Sequence, residues 1–372
     1  MKIAIEAQRI FRKNKHGMDF VALESIRQLQ QLDQTNEYFI LVSPGEDRCL
    51  TETSNFHIIE IKVPSYPLWE QWGLPQALKE IKPDILHCTS NTAPLFCKVP
   101  LILTLHDVIF MEKRRGKSAS LYQQLGWYYR RWNVPRILKK CHKVITVSNY
   151  EANRISQIMQ LPAERITTVY NGFSSHFHLM SDYQETLKKY SINNDYFFFL
   201  GNTDPKKNTP RTLKAYAMYL ERAENPCSLL IADLNENIID TYLQKEEITF
   251  IKPHLIFPGY IPNTDLPAIY NGAKAFIYTS LRESFGIPIL EAMACGTPVI
   301  TSNTSAIPEI AGEGAILVNP TNEEAIAEEM LRLEQNAQYR NNQIAYSLQR
   351  IKTFSWETTA KELLKIYSSL NH

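Results

Sequence analysis

The residues able to do chemistry in this chain fall into three small groups. Glu283 stands in the stretch 279–286, and Glu291 follows eight positions later inside an apolar-periodic segment, Ile287–Ala294. The run Ala275–Tyr278 before them reads as a buried strand and the segment after as a helix, so one carboxylate sits at a helix mouth and the other below it. Ionised carboxylates only accept hydrogen bonds and sugar hydroxyls donate them, so such a pair suits the diol edges of a ribose and a hexose. An isolated pair at this spacing also fits a helix that uses glutamate for dipole or solubility reasons. Lys206 and Lys207 lie between an aromatic strand, Tyr196–Leu200, and a helical pattern over 209–221. That arrangement makes a cradle for a diphosphate, or simply a solvated basic loop. His106-Asp107 ends the apolar run 101–105, a strand end where an imidazole faces a cleft with Asp107 to orient it. His87 ends a similar run and reads as a hydrogen-bonded structural residue.

The elements that must position these groups alternate along the chain. Strands are predicted at Lys2–Glu6, 38–42, 57–61, 84–88, 101–105, 143–147 and 166–169, then at Tyr196–Leu200, Ser228–Ala232, Ala275–Tyr278, 299–301 and 315–318, with helical patterns or turn signals between them. Such alternation predicts an α/β protein with doubly wound sheets. Ser148 caps a helix running to Met159. Gly296 and Pro298 end the helix that carries Glu291. The first strand leads into a basic loop, 9–17, with Arg12 and Lys15. Gly17 at its end either lets the backbone approach a ligand or makes a plain turn. The polar, weakly periodic stretch 174–195 marks a domain boundary.

At 372 residues and 44% apolar content the chain can bury large cores, and its length favours two domains. A formal charge of +1 leaves no overall excess for nucleic acid. Six cysteines without a C-x2-C pair argue against a zinc site or a disulfide framework and read as reduced core thiols. There is no D-x-D pair to hold a metal on a diphosphate. The first residues lack a signal-peptide pattern, and no apolar run reaches the ~18 residues of a membrane span, so a cytoplasmic protein is expected. Residues 111–143 hold ten Lys or Arg against one Glu, interleaved with Tyr122, Trp127, Tyr128, Tyr129 and Trp132. This suits an anionic leaflet or a lipid-diphosphate acceptor, provided that Arg114, Arg115, Arg130, Arg131, Lys139 and Lys140 share a face. Trp69 and Trp72 would add to it. A solvated helix, or nucleic acid, would use the same composition.

The string E-S-F-G-I-P-I-L-E-A-M-A-C-G-T-P-V-I, residues 283–300, resembles the retaining glycosyltransferases of family 4, which have the GT-B fold. Leu103-Thr104-Leu105-His106-Asp107 resembles that family's strand-end His-Asp, residues 201–208 its phosphate-gripping Gly-x3-Pro-Arg-Lys-Asn loop, and 255–260 its base-reading Gly-Tyr/Phe-Val segment. Asn171-Gly172 resembles the turn that ends its first domain. The resemblance implies two Rossmann-like doubly wound domains facing a central cleft. An acceptor-binding domain, 1–173, would be joined by the last helix, about 356–372, and a nucleotide-sugar-binding domain would span 174–355. It implies catalytic roles for His106, Glu283 and Lys207. Donor binding falls to Gly17, Gly201, Lys206, Lys207, Tyr260, Ser284, Phe285, Gly286, Ile287 and Glu291, and acceptor binding to Arg12, Lys15, Arg114 and Arg115.

The reaction so implied is front-face transfer of a hexosyl group, with mannosyl as the candidate, from a nucleotide diphosphate sugar. The acceptor is a glycan or a lipid-linked saccharide in cell-surface polysaccharide synthesis. No cofactor, metal or nucleic acid takes part, and the protein works in the cytoplasm or peripherally at the inner face of the membrane. The alternatives are a degenerate GT-B accessory subunit and another nucleotide-sugar enzyme, such as an epimerase.

Overall fold

The computed structural model describes residues 1–112 and 121–370. These fall into two compact units: residues 1–172 with the chain from Ser355 onward, and Phe173–Phe354. The first unit contains β1 (Lys2–Glu6), α1 (Gly17–Leu32), β2 (Glu37–Val42), β3 (Phe56–Glu60), α2 (Tyr66–Leu68) and α3 (Leu74–Ile81). It continues through β4 (Ile85–Cys88), β5 (Leu101–Thr104), α4 (Leu121–Leu138), β6 (Lys143–Thr146), α5 (Asn149–Met159) and β7 (Ile166–Thr168). The second unit runs from α6 (Gln184–Lys189) and β8 (Tyr196–Leu200) through α7 (Thr209–Leu220), β9 (Ser228–Ala232), α8 (Glu236–Lys245), β10 (Leu255–Ile256) and α9 (Leu266–Gly272). It ends with β11 (Ala275–Tyr278), α10 (Ile287–Ala294), β12 (Val299–Ser302), α11 (Ile307–Ala311), β13 (Ile316–Val318), α12 (Glu323–Gln335) and α13 (Ala337–Arg350). The last helix, α14 (Trp356–Ser368), belongs to the first unit.

Among the described residues each unit has one sheet, and every strand pair in it is parallel. The strand orders are β3-β2-β1-β4-β5-β6-β7 and β10-β9-β8-β11-β12-β13. The order reverses between β1 and β4 in one sheet and between β8 and β11 in the other. In open α/β sheets ligands bind outside the carboxyl ends of the strands at such switch points.

Central strands are covered on both faces, which demands near-continuous apolar runs such as the Tyr-Phe-Phe-Phe-Leu of β8, whereas the edge strands β3, β7 and β10 are only partly buried. Side-chain alternation divides the first unit's core: Ile3 and Ile5 pack with Leu23, Ile26, Leu363 and Tyr367 of α1 and α14, whereas Ala4 and Leu86 pack with Leu74, Leu78, Val134 and Ile155 on the other face. Helix starts follow capping chemistry. Ser148, Asn322 and Ser355 accept the amides of Glu151, Ala325 and Thr358 at 3.2, 3.2 and 3.0 Å. Thr359 Oγ1 donates to the Tyr170 carbonyl at 2.7 Å and ties α14 to the segment after β7.

The basic aromatic segment is arranged differently from the sequence expectation. Trp69 is fully buried, its indole Nε1 donating to the Ile61 carbonyl at 3.1 Å, so it is core and does not join a surface with Trp72. Arg131 donates to the carbonyls of Phe110 and Met111, both at 3.1 Å, and lies over the Trp127 ring. Arg130 and Arg131 point ~100° apart around α4, whose inward face is claimed by Val134, Ile137 and Leu138, and Lys139 and Lys140 lie beyond the helix end at Leu138. These cations therefore do not share one face; the outward stripe of α4 carries Leu125, Tyr128 and Trp132. Arg114 and Arg115 lie outside the described residues. Among the described residues no helix is long and apolar enough to cross a membrane.

Candidate active site

The second unit's site is built on two loops at the β8/β11 switch point. After β8, a Cβ at Gly201 would lie 2.6 Å from Leu234 Cδ1, so any side chain there would push Leu234 aside. Asp204 then caps a short turn by accepting the Lys206 amide at 3.1 Å. Asn208 takes left-handed backbone angles, which asparagine tolerates, and its buried amide donates to the carbonyls of Thr279 and Pro320 at 3.0 and 2.7 Å. Leu281 N donates to the Lys206 carbonyl at 2.7 Å, a second tie between the two loops.

This scaffold brings Lys207 and Glu283 together. Lys207 Nζ lies 2.6 Å from Glu283 Oε1 and 3.1 Å from the Tyr278 hydroxyl. Glu283 is held by its own amide, which donates to Ser305 Oγ at 3.0 Å. Lys206 points elsewhere, toward Asp204 at 3.4 Å, and is more exposed. Of the two lysines, only Lys207 is part of the site's ion pair.

The loop reaches α10 through Gly286, whose φ of +105° is closed to most side chains. Ser284 is half-buried and Phe285 packs edge-on against Phe354 at 5.9 Å. Ile287 is the first helical residue, with an amide that has no intrahelical acceptor. Within α10, burial pushes the Glu291 carboxyl up to about 7, and the Tyr270 hydroxyl opposes the rise. Burial also raises the Tyr278 hydroxyl, and the charges of Glu283 and Glu291 both add to the rise. Tyr260, in the loop after the edge strand β10, is 83% exposed.

The first unit presents a second polar set at the carboxyl ends of β1, β4 and β5. Glu6 Oε2 accepts the Thr89 amide at 3.1 Å, and the Thr89 carbonyl accepts from His106 Nε2 at 2.9 Å. A carbonyl can only accept, so Nε2 carries the proton and Nδ1 is left as an acceptor. Burial lowers the His106 pKa, partly offset by the Thr89 carbonyl and the charge of Asp107. Asp107 does not orient the ring as the sequence suggested: its carboxylate accepts the Ile109 amide at 3.0 Å, and Thr89 is the orienting group. His87 is structural, held at 2.7 Å by both Tyr367 and Thr104, and burial takes it down to about 3.

At the start of α1, Gly17 faces open space, and Asp19 binds Arg9 at 3.0 Å and the His16 amide at 2.9 Å. Arg12 is exposed, while the buried Lys15 ammonium pairs with Asp47 and donates to the Arg12 carbonyl at 3.0 Å. Glu6, buried beside the chain of bonds that ends on His106, escaped the sequence reading, although a polar residue closing an apolar strand was a visible signal. Asn208 and Tyr278 escaped too; both adjoin residues that were chosen. Among the described residues no group of His, Cys, Asp and Glu gathers to hold a metal ion.

Comparison with known proteins places the chain. Residues 182–350 match the family model described as Glycosyl transferases group 1, and residues 16–176 match Glycosyltransferase Family 4. The O-antigen chain mannosyltransferase B of Escherichia coli is 31% identical over 61% of this chain and 60% of its own length. A serotype-specific mannosyltransferase WbdA of the same organism is 27% identical over 60% of this chain and 28% of its own length. The chain thus spans less than two thirds of the length of these two curated relatives. The crystal structure of Anabaena HepE in complex with UDP-glucose superposes with a TM-score of 0.75 at 18% identity, over 99% of this chain and all of that one. With both units matched in turn, and each built on a parallel Rossmann-like sheet, the chain belongs to the family 4 glycosyltransferases of the GT-B kind.

Proposed function

We propose that this protein transfers a mannosyl group, with retention, from a nucleoside diphosphate donor to a saccharide or lipid-linked saccharide acceptor during assembly of a cell-surface polysaccharide. The observation that carries the reading is the Lys207–Glu283 pair at the second unit's switch point, 2.6 Å apart beside the start of α10. A diphosphate arriving there meets one ammonium already held in place and the Ile287 amide at the N-terminus of α10, since Pro288 has no N–H and the Ile289 amide donates to the Gly286 carbonyl at 3.0 Å. Glu291 serves the ribose hydroxyls and Glu283 a hydroxyl of the sugar. The bond from the anomeric carbon to the diphosphate oxygen breaks with its electron pair on the phosphate. The acceptor oxygen bonds to that carbon on the same face, and its proton passes to the departing phosphate oxygen. In the first unit His106 offers Nδ1 to a sugar hydroxyl. The mannosyl preference draws support from the names of the two relatives.

The chain needs no metal in this scheme, since Lys207 and the positive end of α10 at the Ile287 amide supply the positive charge. The outward stripe of α4 supports peripheral attachment at a membrane surface through Leu125, Tyr128 and Trp132.

The test is release of nucleoside diphosphate from GDP-mannose, GDP-glucose, UDP-glucose and ADP-glucose, with and without a chelator, followed by NMR of the anomeric configuration in the product. Turnover of GDP-mannose to an α-linked product in chelator supports the reading. A β-linked product, or turnover of none of the four, overturns it.

A further inference from the structure

A second concave surface lies on the first unit, at the edge of its sheet opposite Glu6, Thr89 and His106. Lys82 and Pro83 lead into β4, Lys98 and Pro100 into β5, and Lys140 toward β6. These amino-end segments and the exposed side of α3 wall a groove of about 790 Å³. That volume falls within the ~300–1,000 Å³ of ligand sites. Pro75, Pro83 and Pro100 stiffen its walls, so little chain entropy is lost when it fills.

Its chemistry is one-sided. Lys79, Lys82, Lys98 and Lys140 line it, and among the described residues no aspartate or glutamate does. Lys140 is pre-positioned, its ammonium donating to the Leu95 carbonyl at 2.7 Å and standing 5.3 Å from the centre of the Phe96 ring. Two aromatic rings are left open to solvent beside these cations: Trp72 is 56% exposed and Phe96 83%. An isolated exposed ring means little, but two beside a carboxylate-free basic groove make a recognition surface.

We propose that this groove binds an anionic saccharide chain. The negative faces of Trp72 and Phe96 attract the C–H faces of sugar rings, as they attract other positive edges. The Gln76 amide can both donate to and accept from hydroxyls, and the four ammonium groups meet carboxylate or phosphate substituents along the chain. A flat bilayer would touch only the rim of a concave groove and leave its walls unused, which favours a flexible polymer. The assignment rests on the groove's own side chains and stands apart from the transfer reaction.

Calorimetry with the full chain tests it, using an oligogalacturonate as the acidic probe and a malto-oligosaccharide of equal length as the neutral one. The acidic probe should bind, more weakly as salt rises, and the neutral one should bind far less. Lys79→Glu with Lys98→Glu, and separately Trp72→Ala with Phe96→Ala, should each weaken acidic binding roughly tenfold or more, while thermal stability and transfer to a short acceptor stay as in the parent. Equal binding of the two probes, no binding of the acidic one, or binding indifferent to both double variants would overturn the proposal. So would capture by phosphatidylglycerol vesicles that depends on Lys79 and Lys98 without binding of the oligogalacturonate, an outcome that assigns the groove to a membrane. Because probe binding is read without turnover, an inactive but probe-binding protein would sink the transferase reading and leave the groove standing.

Discussion

The ammonium of Lys207 lies 2.6 Å from the carboxylate of Glu283, joining the loop after β8 to the loop after β11 where the strand order reverses. The pair is partly buried, with 23% and 13% of the two side chains exposed. Each charge thus keeps the other oriented in the absence of substrate, and the lysine needs little reorganisation to meet a leaving diphosphate.

Lys207→Ala is expected to lower kcat/KM about 10²-fold or more, the usual cost of removing one preorganised charged donor. Lys206→Ala, whose ammonium faces Asp204, should cost less than about tenfold. Adding Glu283→Ala to Lys207→Ala should cost less than the sum of the singles, since the two act as a unit. Steady-state kinetics of the parent and the four variants decide this; a larger loss at Lys206 would reverse the assignment of the two lysines.

Glu291 titrates near neutrality because burial raises its carboxyl to about 7. Its ionised form is the stronger acceptor, so donor KM should fall as pH rises through about 7. Glu291→Gln should flatten that dependence, and Glu291→Ala should raise donor KM by roughly ten- to hundredfold, about 1.5–3 kcal/mol for a charge-assisted bond. A pH series of donor KM, with calorimetric donor binding at one pH, checks both. Unchanged binding in the alanine variant would remove Glu291 from the nucleotide site.

Acid stability should report His87. Its folded pKa of about 3 lies below the unfolded value of about 6.5. Between those values the unfolded chain binds a proton that the folded chain does not. Stability is therefore full above about pH 6.5 and declines as pH falls toward 3, by up to ~1.4 kcal/mol per pH unit from this residue. His106, lowered in the same direction by burial, adds to the slope. Glu291 acts oppositely, favouring the folded state below its unfolded pKa and losing that contribution as pH rises toward 7. The His87 share is isolated by denaturant unfolding of the parent and His87→Gln at about pH 7.5 and about pH 4.5. Equal slopes in the two proteins would show that His87 is charged in the folded state.

Gly286→Ala should disturb the site through the backbone. At φ +105° an alanine is strained, and its Cβ would also stand 3.1 Å from Ile289 Cδ1. The cost is about 1–3 kcal/mol, or ~2–4 °C of Tm per kcal/mol for a unit of this size. Activity should fall further than Tm suggests, because the same turn aims Glu283 and Ile287. A variant with parental Tm and activity would show that the turn relaxes freely.

Much of this molecule was legible along the chain because it depends on neighbours in sequence. Apolar runs of four or five residues between turn signals gave β1, β8, β9 and β11 their observed bounds. Ser148 announced α5, and the Gly286-to-Pro298 stretch announced α10 and the strand after it, since caps, glycine turns and helix-breaking prolines act within a few residues. The resemblance carried by residues 283–300 brought the fold class with it.

Tertiary structure decided which of these neighbours meet. Lys207 and Glu283 are 76 residues apart, and Thr89 lies 83 residues from Glu6 and 17 from His106. They touch because burying both faces of each sheet sets β8 beside β11 and β1 beside β4, an order that no local periodicity encodes. The same holds for Trp69 and Trp72, three positions apart with Glu70 and Gln71 between them. One fills the core beneath Ile61 and the other opens onto the amino-end groove, because only the packing of the surrounding helices determines which side of a turn faces inward.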